Sequence, residues 1–277
     1  MLSVLAQDPD TGIIAYSETG IRHEKQDEVV LEFLDFYRIK GKPDNVKYLV
    51  FDSKFTAYEN LRKLEDAQIK FITIRRRGKN IVEGLEDLPT TAWKKTRVMT
   101  ADGKGREVKT YEEKVYIKDY GKPIRQIAIT GHGKLKPALI ITNDADIDLE
   151  SLIRKYSRRW LIEKGISEQI EVFHLNRVSS SMVIKVDFDL TMTVLAHNLY
   201  RLLAMNLQGY SQNTAETLFE KFLCNSGEID IREDEIQVKM KKKRNLPALL
   251  SEMEKFRDMR MPWMDNKKLV FLGASTT

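Results

Sequence analysis

The chain has 277 residues, 42% of them hydrophobic and 31% charged, with a formal net charge of +5. This length and balance suit one substantial buried core, or a core with an appendage, and exclude a disordered chain. A single cysteine, Cys224, excludes an internal disulfide, and His23, His132, His174 and His197 show no metal-ligand spacing with it or with one another. The opening MLSVLAQDPD lacks the basic start and apolar run of a signal peptide. The most apolar later segment, residues 182–205, is interrupted by Lys185, Asp187, Asp189 and Arg201. A soluble cytoplasmic protein with no membrane association is expected.

Residues 2–21 read as two antiparallel strands joined at the turn signal DPDTG. Residues 24–40 place Val29, Val30, Phe33, Leu34 and Tyr37 at helical spacing, and GKPDN stops that helix. KYLVFD is a short apolar run ending in Asp52, the pattern of a buried strand; SKFTAYENLRKLEDAQ is helical and KFITIRRR is again a strand. A strand, a helix and a strand in that order predict a parallel pair with a crossover, and so a mixed sheet at the front of the chain, opened by the antiparallel hairpin and continued by the parallel strands. Asp52 then stands at a strand's carboxyl end, where open α/β sheets face their ligands. The bland reading of the same residue is the cap of the helix that follows.

Residues 75–136 break this rhythm with RRRGKN, ADGKGRE and the alternating runs VKTYEEKVYIK and IRQIAITG, expected to be an inserted β-rich element. Residues 70–136 hold 17 Lys and Arg against 8 Asp and Glu, a net of +9, so the rest of the chain sums to −4. With Trp93, Tyr111, Tyr116 and Tyr120 interleaved, the block suits a nucleic-acid backbone, the alternative being a solvated lysine-rich surface. The main sheet is expected to resume at PALIITND. NDADIDLESLIRKYSRRWLIEKG follows as one helix, capped near Asp146 or Asp148, with Glu163 well inside it. Beyond it come a long helical region over 176–208 entered through Ser179–Ser181, a hairpin in EIDIREDEIQVKM, a helix in LPALLSEMEKFRDM and a last strand in KKLVFLG.

In KYSRRWLIEKG, Tyr156, Arg159 and Glu163 share one helical face, and Arg159 and Glu163 at i, i+4 could be an ordinary surface pair. The three also fit Y-x2-R-x3-E, the core of the Y-x2-R-x3-E-x6-K signature. On this motif, the chain resembles a large group of bacterial insertion-sequence transposases of the DDE class. VFDSKFTAYENL is similar to that family's segment around its second catalytic Asp, and VDFDLTMTVLAHNLYRLLA to the apolar helix downstream of its Glu.

The resemblance implies a mixed α/β, ribonuclease-H-like fold. Its core would be residues 1–74 and 137–175, its β-rich insertion 75–136 and its helical C-terminal extension 176–277. It implies phosphoryl transfer on double-stranded DNA, at insertion-sequence ends and a target, by a homodimer using Mg²⁺ or Mn²⁺. Asp52 and Glu163 would be metal ligands, with Arg159 and Tyr156 beside them in the catalytic centre. Arg75, Arg76, Arg77, Lys94, Lys95, Arg97 and Lys164 would contact DNA. Two departures stand out. The family's Lys falls on Ile170, leaving Lys164 or Arg177 to replace it. The family's first Asp lies on a strand before the hairpin of residues 2–21, so the chain is expected to start after it, since Asp8 and Asp10 occupy the hairpin turn. The chain by itself is therefore expected to be inactive. The alternatives are a catalytically inactive DNA-binding or dimerising remnant, and a ribonuclease-H-like nuclease or resolvase.

Overall fold

The computed structural model describes residues 2–39, 46–55, 57–99, 105–133, 136–177 and 181–273. The chain divides into two compact units, Met1–Pro9 with Glu18–Glu163, and Asp10–Ser17 with Lys164–Thr277.

The first unit is built on a six-stranded sheet in the order β3-β4-β8-β7-β6-β5. Strand β3 (Tyr48–Val50) pairs in parallel with β4 (Lys70–Ile74), Val50 facing Ile72, and α2 (Tyr58–Asp66) makes the crossover with Leu61 and Leu64 buried. The expected strand–helix–strand unit is present. Strand β8 (Ala138–Thr142) runs antiparallel to β4, and β7 (Lys122–Thr130), β6 (Gly105–Ile117) and β5 (Lys94–Met99) follow in antiparallel steps.

The basic block holds strands β5, β6 and β7, which extend the main sheet. Strand β7 shows why: Ile127, Ala128 and Ile129 are all buried, so both faces are covered, as in an interior strand. The block also contains a helix the sequence reading missed, α3 (Lys79–Glu86), whose Leu85 packs with Ala128 and Leu139. The turn ADGKGRE lies largely outside the described residues. The hairpin strands β1 (Leu2–Gln7) and β2 (Ile14–Ile21) form a two-stranded sheet of their own, which corrects the expectation that they open the main sheet. Helix α1 (Val29–Ile39) begins later than expected, after a short 3-10 turn at His23–Lys25; its proposed stop, GKPDN, lies outside the described residues.

After β8 the chain turns into α4 (Leu149–Ser157). Asp148 caps it, its carboxylate accepting from the Ser151 amide at 2.8 Å, while Glu150 in the first turn and Arg154 and Lys155 in the last suit the helix dipole. Leu152 and Ile153 bury against Ile72, Val98, Ile127 and Ile140, with Tyr156 packed at the margin. The expected single helix ends here. Arg158 and Arg159 form a tight turn, the Arg159 amide bonding to the Tyr156 carbonyl, and α5 (Trp160–Glu171) starts afresh. Glu163 is in the first turn of α5, not well inside one long helix.

In the second unit, α6 (Val183–Asn206) carries one face inward through Leu190, Thr193, His197 and Ala204. The same helix holds the segment of residues 10–17: the Asn198 side chain both donates to and accepts from the Ile14 backbone at 2.9 Å, and the Arg201 Nε donates to the Thr11 carbonyl at 3.0 Å. Residues 178–180, most of the entry expected for this helix, lie outside the described residues. Helix α7 (Ala215–Leu218) precedes a four-stranded sheet in the order β11-β12-β10-β9. The expected hairpin is β9 (Gly227–Ile231) with β10 (Glu235–Met240), and the expected last strand is β12 (Lys267–Gly273). Strand β12 runs parallel to β10 after α8 (Leu246–Met253), and the two-residue β11 (Arg260–Met261) flanks it.

Candidate active site

Parallel pairing of β3 and β4 fixes where Asp52 stands. Strand β3 ends at Val50, and Asp52 follows at the carboxyl end of the strand. Its Oδ1 accepts from the Lys54 amide and the Ser53 hydroxyl, each at 3.1 Å, which shapes the 3-10 turn Ser53–Phe55. The capping role is therefore real, though for a short turn and not for α2. It uses one oxygen. The other, Oδ2, lies 3.5 Å from the Arg159 Nη1.

The same Nη1 lies 2.8 Å from the Glu163 Oε1. The two carboxylate oxygens are therefore no further apart than the sum of those contacts, about 6 Å, a span that ions about 4 Å apart can bridge. Geometry explains the meeting. Strand β8 runs antiparallel to β4 and so finishes at the end of the sheet opposite Asp52; nine residues of α4 then span roughly 14 Å back along the sheet. The turn at Arg158 and Arg159 delivers the start of α5 to the Asp52 end.

All three side chains are within reach of solvent, Asp52 at 38% exposure, Glu163 at 50% and Arg159 at 25%. Tyr156 completes the group, its ring centroid 5.8 Å from the Arg159 guanidinium carbon. Burial pushes the Tyr156 phenol up, against the pull of the Arg159 charge. Burial works against the guanidinium's own charge, yet Tyr156, Glu163 and Asp52 outweigh it and strengthen it as a base. The Arg159 Nε is buried without a hydrogen-bond partner among the described residues. A purely structural ion pair rarely leaves such a donor unsatisfied.

Two carboxylates suit a hard divalent cation. Among the described residues no group of three His, Cys, Asp or Glu stands together as a metal site. A buried acid elsewhere, Asp144, is structural: it follows β8 at the other end of the sheet and pairs with Lys70 at 2.8 Å.

The basic residues singled out from sequence divide into engaged and exposed ones. Arg75 donates to the Gln126 side chain at 2.7 Å, and Arg77 to the Pro137 carbonyl at 3.2 Å, so both brace the sheet. Arg76, between them, is exposed. Lys95 pairs with Glu107 at 3.1 Å; Lys94 and Arg97 are exposed on the edge strand β5, and Lys164 is exposed on α5. Of the four aromatics, Tyr120 is core: it packs edge-on to Phe71 and its hydroxyl donates to Glu65. Trp93 and Tyr111 pack on each other, with centroids 6.0 Å apart, and only Tyr116 is largely exposed. Ile170, at the family's Lys position, is a surface residue.

A mixed sheet thus places an acid at a parallel strand's carboxyl end, where a second acid from the following helix pair meets it. The family model for the transposase DDE domain matches residues 4–199, and the chain belongs to that family. No curated protein matches the chain. Membership brings DNA as substrate and phosphoryl transfer as the family's chemistry. No helix among the described residues is long and apolar enough to cross a membrane.

Proposed function

We propose that Asp52 and Glu163 are carboxylate ligands for Mg²⁺ or Mn²⁺ in a centre that cleaves DNA at insertion-sequence ends and joins it to a target. One observation carries this reading: acids 111 positions apart converge on one guanidinium. Divalent ions bound there would activate the attacking oxygen and stabilise the leaving one. The chain's own part is to hold and orient. The Lys54 amide and Ser53 hydroxyl fix the Asp52 carboxylate with Oδ2 outward, and the first turn of α5 fixes Glu163. Arg159 keeps the two acids facing each other and, with its planar fork, suits a phosphate oxygen once they take up cations. In this reading the protein acts as a homodimer on duplex DNA, in the cytoplasm.

The ligand count favours a second reading. The pair supplies two of the three acids of a DDE centre, and no third stands with them among the described residues. The polypeptide alone would then bind DNA and associate with little turnover.

Mn²⁺ titration of the wild type, Asp52→Asn and Glu163→Gln tests the first reading. Each substitution is expected to weaken binding at least about tenfold. The melting midpoint should shift by no more than about 2 °C, because exposed ion pairs contribute little to stability. Equal Mn²⁺ affinity in all three proteins would end the metal assignment. Strand transfer on end-bearing DNA decides between the readings: robust product from residues 1–277 rejects the second.

A further inference from the structure

Helix α6 has a buried side and an exposed apolar side. The inner side is buried through Leu190, Thr193, His197 and Ala204. The outer side carries Phe188, Met192, Leu195, Leu199 and Leu202, all exposed, Phe188 at 62% and Leu199 at 57%. Their spacing of four, three, four and three residues is the a/d repeat of a coiled-coil seam, a narrower strip than the one by which a helix seats on its own core. The strip is long enough to matter. Five such side chains expose on the order of 500 Å² of apolar surface, at the upper end of what monomers leave open. Two copies pressed together would bury about 1,000 Å² from these residues alone, the threshold of a specific interface.

We propose that this strip seats a second copy of the same chain, α6 against α6, antiparallel about a two-fold axis. The proposal rests on the homodimer reading above and names the surface. The centre of the seam matches itself: Leu195 meets the partner's Leu199 and Met192 meets the partner's Leu202, while at either end Phe188 lies over the partner's Asn206. A parallel pair would stack Lys185 on the partner's Lys185 and bring the Asp187 and Asp189 ends together. The antiparallel pair sets that charged end against the last turn of the helix, which carries no charge. DNA is a poor occupant, because the only cation between positions 188 and 202 is Arg201, turned onto the Thr11, Ser211 and Asn213 carbonyls.

The test is the oligomeric state by sedimentation velocity between about 1 and 50 µM, a range that spans typical specific association, for the full chain and for Leu195→Glu/Leu199→Glu. The wild type is expected to be a dimer, and the variant to associate at least about a hundredfold more weakly with its helical circular dichroism retained. A second arm uses two single-cysteine chains in a Cys224→Ser background, Leu195→Cys and Leu199→Cys. Mixed, they should form a disulfide-linked dimer on oxidation; separately, they should not. A monomeric wild type overturns both this seat and the homodimer reading. A variant that stays dimeric overturns the seat alone, and so does failure of the mixed cysteine pair to cross-link if the double variant does not fold.

Discussion

Arg159 carries one positive charge between two carboxylates, and in doing so it competes with any cation for them. Removing it leaves the site with a net charge of about −2 in place of −1, which at an effective dielectric near 20 is a large change for a doubly charged ion even after solvent screening. Arg159→Ala should therefore bind Mn²⁺ about tenfold more tightly, since 1.4 kcal/mol is one decade, while any strand transfer falls because the phosphate contact is gone. Paramagnetic resonance titration reads the first effect; unchanged affinity would show that the guanidinium is not what fills the gap. Asp144 offers the contrasting case of an acid that holds the fold. Burial alone would raise its carboxyl, but the Lys70 ammonium and the Asp146 amide outweigh burial and hold it below its ordinary value of 3.8. A depressed folded value means that the stabilisation is complete above the unfolded value and is lost as pH falls through the folded one. Asp144→Asn should cost about 1–3 kcal/mol at pH 7, and the gap between wild type and variant should close below about pH 4. Urea unfolding at pH 7 and pH 3 checks it; a gap of equal size at both would assign the loss to packing instead of charge.

Several elements were legible because their signals are local. The apolar run before Asp52, the amphipathic α2 and the following KFITI specify a parallel pair without knowledge of the rest of the chain, and the acids Asp146 and Asp148 bracket the start of α4, which the structure sets at Asp148. The β9–β10 hairpin and β12 were legible for the same reason. The missed features depend on distant partners. Alternation in residues 105–130 reveals strands but not the sheet they join, which is decided by pairing with β8. The one available signal was IAI in β7, a run too apolar for a two-layer insertion with a wet face. The break between α4 and α5 was invisible because Arg159 and Glu163 remain a turn apart whether or not the helix is continuous. The convergence of the acids was legible only through the family motif, since nothing in local periodicity brings position 163 to position 52. Engagement of Arg75 and Arg77 was equally hidden: their acceptors, Gln126 and the Pro137 carbonyl, belong to segments more than fifty residues away.

For the protein as a whole, charge is the property most relevant to its substrate. The net of +9 in residues 70–136 against −4 elsewhere makes one part of the molecule basic while the total stays near +5. That surplus is not spread evenly over one face. On β5, Thr96 and Val98 point toward the core, so Lys94 shares their side of the strand while Lys95 and Arg97 take the other. Lysines on an edge strand also discourage pairing with other chains, which is reason enough for their presence. Arg76 is placed differently: it follows β4 at the carboxyl end, the end at which Asp52 stands beside β3, and its neighbours Arg75 and Arg77 anchor the loop that carries it. A duplex lying over the acids would meet it. Reversing all three arginines would break the sheet's braces and confound the result, so Arg76→Glu is the clean change. Each phosphate contact releases about one counterion, so the slope of log affinity against log salt should become shallower by about one in this variant. Lys95→Glu, whose partner Glu107 already neutralises the lysine, should change the slope less. Fluorescence anisotropy with a labelled duplex between about 50 and 200 mM salt measures both. Identical slopes for Arg76→Glu and the wild type would return the loop to solvent and move the DNA path away from the carboxyl end of β4.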